Sequence, residues 1–347
     1  MKVTILLLII ILFTGCFIKK QETNKKEKFP HHLYHNEYSS ITVEERKGGL
    51  YGNVYYWPFK KEPSFDIPRS EWEIINNPNL ASLEEESKLK LYENLPVLDG
   101  ATALLPVYAA FVESVYPKRD YGFDGYIKCS TTSIAYENLL NREVDIIFCT
   151  FPSEYHLNKA KELGVSFNLT PIGREAFVFF VNIKNPTENV TTDQIRGIYS
   201  GAINNWEEIN GLNVEILPYQ RAENSGSQTI FQSIMGDSKI REPISLYSMG
   251  EMIERVASYI NTPNAIGYSF LFYATEMVGN QAIKLLAIDG IYPSKETIQN
   301  ETYPYSVLFY AITLNNNKNE NIDLFINWIL SDQGQYLIEK TGYIPLN

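Results

Sequence analysis

Cysteine and histidine are scarce in this sequence. Only three cysteines and four histidines occur among 347 residues, and no two cysteines have the CxxC spacing typical of zinc sites. There is no GxSxG segment, and His156 is the only histidine after residue 35, which disfavours a serine nucleophile activated by histidine. His31, His32 and His35 could in principle hold a metal, but three histidines beside a polar segment are more often solvated. We therefore expect no metal site, no cofactor and no enzymatic activity.

Basic residues are also in short supply. Lysine and arginine total 30 against 41 acidic residues, which gives a net charge of −11. The first 28 residues carry six lysines and two glutamates, so the chain after Lys28 holds a net charge of −15. A body this acidic is a poor nucleic-acid binder, because counterion release needs clustered lysine and arginine. Any bound anion must be held by a local site rather than by the field of the whole protein.

The sequence has no apolar run long enough to cross a membrane. The longest run near the N-terminus covers residues 5–13, and nine helical residues rise only about 14 Å. Lys2, this run and the small residues before Cys16 describe an export signal over residues 1–15. The polar residues 16–30 predict a flexible tether. Apolar residues make up 44% of the chain, so the part after residue 30 can bury a hydrophobic core. The length of the chain suggests about two compact units.

Thr14-Gly15-Cys16 resembles the lipobox of bacterial lipoproteins, in which the cysteine thiol is acylated and becomes the new N-terminus. Phe13 stands where that motif usually has leucine. The alternative is an ordinary secretory signal with an incidental cysteine. The resemblance implies an extracytoplasmic protein anchored to the cell membrane by a lipid on Cys16. Cys129 and Cys149 then remain. A disulfide between them is possible, but two buried free thiols are favoured.

Residues 31–97 are predicted to form an N-terminal extension of unknown role, in which one strand is predicted over residues 50–59. From Leu98 onward, strands alternate with amphipathic helices, which indicates an α/β layered fold. A threonine-capped helix is predicted to open at 191–194. The other predicted strands cover residues 126–129, 144–149, 177–182, 214–219 and 306–313, and the other predicted helices cover residues 102–115, 133–141 and 321–341.

Three junctions of this α/β region share one design. At residues 100–103, 130–133 and 224–227, small or hydroxyl-bearing residues precede a helix. A helix N-terminus offers unpaired N–H groups and a partial positive charge, and small side chains let an anion approach that backbone. Arg221 precedes the third junction and supplies a planar fork for two oxygens. Serine and threonine are also ordinary helix caps, but three such junctions together with Arg221 favour a site for a small tetrahedral anion.

The same residues resemble the phosphate-binding receptors of ABC importers. Residues 99–111 (DGATALLPVYAAF) are similar to the first ligand loop of that family, and residues 220–227 (QRAENSGS) are similar to its arginine loop. Residues 198–206, 265–268 and 342–346 match further landmarks in order. The resemblance covers about 250 residues from Leu98 to the end.

This resemblance implies a two-lobed type II periplasmic-binding-protein fold with two crossing hinge strands, at about 173–182 and 303–313. One lobe would hold residues 98–175 plus 305–347, and the other would hold residues 176–304. Closure of the lobes would complete the anion site. The expected partners are phosphate or a similar oxyanion and an ABC permease, with the protein acting as a monomer. The alternative is a receptor-like or scaffold lipoprotein of the same fold that binds a different ligand or none.

Position by position, the resemblance implies a set of ligand contacts made by hydroxyls, backbone amides and one cation. They are Thr102, Ala103, Thr132, Ser133, Thr150, Arg221, Ser225, Gly226 and Ser227.

Thr150 stands where the family has an aspartate that accepts a hydrogen bond from protonated phosphate. A threonine there should weaken the rejection of sulfate, and the small Ala103 leaves room for an organic phosphate. Glu223 stands where the family usually has an aspartate near the arginine; it is expected to orient Arg221, and the alternative is that it compensates for the missing acid at position 150. Catalysis by Ser225 or Ser227 would need a base, for which only His156 is available.

Overall fold

A computed structural model describes the backbone of residues 31–36, 39–46 and 49–56, and describes residues 80–118, 125–246, 248–258 and 263–346 in full. Two compact units are present, one within residues 1–60 and one within residues 61–347. The predicted signal segment, the tether and Cys16 lie outside the described residues, as do the side chains of the three N-terminal histidines. These predictions therefore rest on the sequence alone.

The first unit contains a three-stranded antiparallel sheet. Its strands are β1 (His31–Asn36), β2 (Ser39–Arg46) and β3 (Gly49–Tyr56), paired in the order β1-β2-β3. The prediction of a single strand in this region was wrong. Charged and small residues interrupt the apolar alternation of β1 and β2, so the period-two signal that marks a strand is weak there.

The second unit is built on one mixed sheet. The strands of this unit are β4 (Leu98–Gly100), β5 (Ile146–Cys149), β6 (Phe167–Asn182), β7 (Asn189–Val190), β8 (Leu217–Arg221), β9 (Ile244–Leu246), β10 (Ala265–Phe270), β11 (Ile283–Leu285), β12 (Ala287–Ile288) and β13 (Ser306–Leu314). The sheet has the strand order β4-β5-β13-β6-β10-β8-β9, with β11 also paired to β6, while β7 and β12 form a separate parallel pair. Within the sheet the parallel pairs are β4 with β5, β10 with β8 and β8 with β9.

Helices connect most of these strands, as the alternating pattern predicted. They are α1 (Leu105–Val115), α2 (Thr131–Leu140), α3 (Glu154–Glu162), α4 (Thr192–Ser200), α5 (Gly226–Met235), α6 (Met249–Ala257), α7 (Lys295–Gln299), α8 (Asn321–Ile329) and α9 (Asp332–Thr341). The predicted cap of α4 is confirmed. The Thr191 side chain accepts a hydrogen bond from the Gln194 backbone N–H, and the Gln194 side chain accepts one from the Thr191 backbone N–H. None of the helices in the described part of the chain combines the length and the apolar composition that a membrane crossing needs.

Strand β6 joins two hydrophobic cores. Its residues 167–176 pair with β13, and its residues 177–181 pair with β10. One core contains α1, α2, α8 and α9, and the other contains α4, α5 and α6. The predicted crossing segments fall in β6 and at β13. The division into two lobes that move remains a prediction.

Two local predictions were wrong. Residues 126–129 form only an isolated bridge, from Ile127 to Leu98, rather than a strand. The single helix over 321–341 is two helices, because the chain turns at Leu330 and Ser331. Gly334 then packs against the preceding turn so closely that a Cβ there would lie 2.2 Å from the Ile329 carbonyl oxygen.

No disulfide joins the two later cysteines in this structure. Cys149 is buried and Cys129 is half-buried. β4 pairs with β5, which ends at Cys149, and its Leu98 bridges Ile127 on the other side. Strand β4 thus lies between the segment that leads to Cys129 and the strand that ends at Cys149.

Candidate functional site

The first predicted loop follows β4. Thr102 begins a short 3-10 turn over Thr102–Leu104 and is half-buried, whereas Ala103 is buried. The Tyr343 hydroxyl donates to the Ala103 carbonyl, which fixes the turn against the C-terminal segment. The turn leads directly into α1, so the loop is held at both ends by buried structure.

Asp99 joins the first loop to the second. This fully buried carboxylate accepts from the backbone nitrogens of Gly100 at 2.7 Å and Ser130 at 2.8 Å, and from the Asn138 amide at 2.8 Å. These three donors satisfy the oxygens of the buried side chain, as a buried polar group requires. The sequence motif contained Asp99 but did not reveal this role, because its partners are 31 and 39 residues away.

The second loop opens α2 without a side-chain cap. Ser130 occupies the cap position but caps no backbone N–H of the helix, and Thr131 adopts a left-handed conformation with φ 72°. The first N–H groups of α2 therefore have no side-chain cap. Thr132 and Ser133 lie in this turn and are half-buried.

Thr132, Thr150 and Gly226 meet at one place. A Cβ built on Gly226 would lie 2.8 Å from the Thr132 Oγ1 and 3.2 Å from the Thr150 Oγ1. Thr132 lies in the first turn of α2 and Thr150 follows β5, both in one core, whereas Gly226 begins α5 in the other. Glycine is needed here for close approach, since any side chain would collide with the threonine hydroxyls. The Thr150 Oγ1 is buried and has no hydrogen-bond partner among the described residues.

Arg221, at the end of β8, is a buried cation. Its side chain is 8% exposed, its Nη1 donates to the Leu246 carbonyl at 2.8 Å, and its Nε is buried without a partner in the described part of the chain. Burial lowers the pKa of Arg221. No carboxylate of the described ranges lies within ion-pair distance of its guanidinium. A buried cation that lacks an acid partner favours an anionic ligand.

The arginine loop (residues 220–227) runs into α5, whose N-cap is Ser225. The Ser225 hydroxyl donates to the Ala222 carbonyl at 2.8 Å and accepts from the Gln228 backbone. Its single proton is thus used within the loop in this structure. Ser227 lies in the first turn of α5 and is 2% exposed.

A family model described as a PBP superfamily domain matches residues 97–333. This chain belongs to the PBP superfamily. Among curated relatives, the phosphate-binding protein PstS of Borreliella burgdorferi is 24% identical over 263 residues, which cover 73% of this chain and 91% of that one. Protein SphX of Synechococcus elongatus is 22% identical over 273 residues, which cover 73% of this chain and 77% of that protein.

Solved structures agree with the PBP assignment. A Clostridium perfringens protein solved with bound phosphate matches with a TM-score of 0.58 at 23% identity, covering 72% of this chain and 98% of that one. An ABC-type phosphate transport receptor from Vibrio cholerae matches with a TM-score of 0.54 at 21% identity, covering 71% and 98%. At these identities the likeness establishes the fold. The predicted α/β fold class is confirmed.

One expectation about the neighbours of this PBP site was wrong. Glu223 does not orient Arg221: it is exposed and accepts from the Gln232 side chain at 2.9 Å. Instead, the Arg221 backbone donates to the buried Tyr268 hydroxyl at 2.9 Å. His156 bonds to Ser153 at 2.8 Å, so it is not paired with either serine of the arginine loop.

Tyr273 is a site neighbour that the sequence did not reveal. It packs against both hydrophobic cores. Burial raises its pKa, and the charge of Arg221 acts in the opposite direction. No motif marked Tyr273, because it lies in a π-helical turn over Tyr273–Val278 that follows β10.

Proposed function

We propose that this protein captures phosphate, or a related oxyanion, between two lobes outside the cytoplasm and delivers it to an ABC permease. The observation that carries the proposal is the position of the arginine loop. Its Gly226 lies against the hydroxyls of Thr132 and Thr150, and its buried Arg221 has no acid partner among the described residues. The names of the relatives support phosphate as the ligand. The protein acts by binding, as a monomer.

The nine predicted ligand contacts fall into two groups, according to the structural observations that support each of them. Thr132, Thr150 and Gly226 adjoin one another, and Arg221, Ser225 and Ser227 belong to the same strand-loop-helix unit as Gly226. We place Thr102, the Ala103 amide and Ser133 around the same ion, because Asp99 ties their two loops together.

Calorimetric titration of the purified protein tests this proposal. Phosphate should bind with a stoichiometry of one per chain, and sulfate should also bind. Absence of heat with every oxyanion of a panel would favour the scaffold alternative, and consumption of an organic phosphate would indicate an enzyme.

Ligand selectivity should depend on Thr150. A threonine hydroxyl can donate as well as accept, so it does not exclude a fully ionised anion, whereas a carboxylate does. We expect Thr150→Asp to raise the ratio of phosphate to sulfate affinity at least tenfold, measured by paired calorimetric titrations. Thr150→Asn is the matched control, because it has the same shape without the charge. An unchanged ratio in the aspartate variant would contradict this role.

Membrane attachment should depend on Cys16. We propose that its thiol carries the lipid, since residues 5–16 have the order of an export signal followed by a lipobox. Cys16→Ser is expected to move the protein from the membrane fraction to the soluble fraction and to abolish labelling by a radioactive fatty acid. Labelling that persists in this variant would place the lipid elsewhere.

A further inference from the structure

The loop after β5 and the arginine loop are joined by one side-chain hydrogen bond. The Ser153 hydroxyl donates to the Asn224 Oδ1 at 3.0 Å, across 71 residues of sequence. Ser153 closes the loop that begins at Thr150, which we call the threonine loop (residues 150–153), and Asn224 lies in the middle of the arginine loop. The bond therefore links the two loops whose members Thr150 and Gly226 lie side by side.

Ser153 does not serve the purpose that its position suggests. It is the N-cap residue of α3, where a serine hydroxyl ordinarily accepts a backbone N–H of the first turn, yet it makes no such bond. The helix thus forgoes the stabilisation of a capping hydrogen bond. Ser153 is buried, and its hydroxyl is instead directed to Asn224 and His156.

Asn224 is held in an unusual conformation at the other end of the bond. Its φ is 62°, in the left-handed region that asparagine tolerates better than most residues. This backbone conformation turns the arginine loop between Arg221 and Ser225. The Ser153 side chain, which donates to Asn224 from outside the loop, is therefore well placed to hold this turn in position.

His156 sets the direction of the hydrogen bond. The carbonyl oxygen of Asn224 can only accept, so the single Ser153 proton is used there. The His156 Nδ1, 2.8 Å from the Ser153 Oγ, must then be the donor of that contact. This leaves the His156 Nε2 as an acceptor; it is buried and has no hydrogen bond of ordinary geometry in the described residues. Burial, the larger effect, lowers the pKa of His156, and the Ser133 backbone near the ring raises it.

The surroundings of His156 keep its ring fixed. It is fully buried, stacks on Tyr136 with ring centroids 4.7 Å apart, and meets the Tyr155 ring edge-on at 5.2 Å. The nearby charged groups are Glu137 and Lys159, which pair with each other. The Tyr136 hydroxyl also donates to the Thr150 carbonyl at 2.6 Å. One rigid cluster thus supports both ends of the threonine loop.

We infer that Ser153 is a positioning residue whose bond to Asn224 latches the arginine loop against the threonine loop once the anion is bound. This inference rests on the proposed function and adds the contact that keeps the site closed. The latch touches no ligand; it acts by slowing the separation of Gly226 and Arg221 from Thr132 and Thr150. Its loss should therefore appear in the dissociation rate of the ligand rather than in the association rate.

Stopped-flow kinetics with inorganic phosphate test the latch in the full protein. We expect Ser153→Ala and Asn224→Gly each to raise the dissociation rate about fivefold, the factor for one hydrogen bond, with the association rate changed less than twofold. Glycine is used at 224 because it keeps the positive φ without strain. Because both variants remove the same bond, the double variant should dissociate no faster than the faster single variant.

Ser331→Ala is the matched control. Its hydroxyl donates to the Trp328 carbonyl at 2.6 Å in the turn between α8 and α9, so it should leave both rates unchanged. Effects of Ser153→Ala and Asn224→Gly that multiply in the double variant would overturn the latch, because they would show two independent contributions.

A second measurement needs no ligand. Nitrogen NMR of histidine-labelled protein should find the His156 ring protonated on Nδ1 and bare on Nε2. The opposite tautomer would direct the Ser153 proton to His156, and the Asn224 amide group would then have to donate to the Ser153 Oγ. Side-chain amide protons of Asn224 that show no hydrogen bond in that state would overturn the latch. If the wild-type protein binds no phosphate, the proposed function fails, and these NMR signals then decide whether the latch exists.

Discussion

Replacement of Arg221 by alanine is expected to weaken phosphate binding by about 30-fold or more. The guanidinium is buried and has no carboxylate partner among the described residues. Its attraction to a bound anion is therefore little screened by water. Removal of the cation would leave the anion desolvated without a counter-charge, which costs about 2 kcal/mol or more, and 1.4 kcal/mol corresponds to a factor of ten in affinity. Calorimetric titration with phosphate measures the loss.

Two variants accompany this experiment. Arg221→Lys keeps the charge but not the planar fork, so it should fall between the wild type and the alanine variant. Arg196→Ala removes the same charge from a half-exposed position on α4, and its affinity should stay within twofold of the wild type. An Arg221→Ala protein with unchanged affinity would remove Arg221 from the binding site.

The stability of the protein is expected to fall as the pH rises from about 5 to 8, because of Glu175. This residue lies in β6 at the point where the strand passes from one core to the other, and it is 5% exposed. Burial raises its pKa from 4.5 to about 8, although the backbone nitrogens of Ala176 and Phe272 donate to it. Lys295 and Lys340 line the same cavity of about 450 Å³ but make no ion pair with it among the described residues.

The direction of the effect follows from linkage. The folded-state pKa lies above the unfolded value, so the contribution of the protonated carboxyl is complete below about pH 4.5. It is lost progressively as the pH rises to about 8, where the folded state must also ionise. A shift of this size corresponds to a loss on the order of 5 kcal/mol over that window.

Glu175→Gln should flatten this dependence. Glutamine cannot ionise, so the variant should be more stable than the wild type above pH 8. It has one carbonyl oxygen instead of two carboxyl oxygens, and the loss of one hydrogen bond costs about 1 kcal/mol. Urea unfolding from pH 5 to pH 9 measures the difference. Glu162→Gln, an exposed position on α3, should give a curve parallel to the wild type. Parallel curves for Glu175→Gln as well would contradict the account.

The elements that the sequence predicted well are those specified by neighbouring residues. The cap of α4 is one example, because Thr191 and Gln194 satisfy each other within a single turn. The full length of β6 could not be predicted in the same way. Residues 167–170 alternate apolar and polar side chains, but Pro171 interrupts the pattern because it has no backbone N–H to donate. The strand continues through this point because β13 pairs with it on both sides, with a shift of register between Phe309 and Tyr310. Tertiary pairing overrides local preference there.

The candidate site likewise has local features that the sequence predicts and long-range contacts that it does not. The three helix-opening loops could be predicted, because their small residues and Arg221 are local features of the sequence. The contacts that bring the loops together are long-range: Asp99 reaches Ser130 and Asn138, and Ser153 reaches Asn224. No periodicity or spacing records such pairs, since each residue has an ordinary local role as well.

A crystal structure of the protein grown with phosphate would test the central claim most directly. The account predicts tetrahedral density within hydrogen-bond distance of the Arg221 guanidinium and the hydroxyls of Thr132 and Thr150, at the N-terminus of α5. Density elsewhere, with these groups facing separate surfaces, would contradict it.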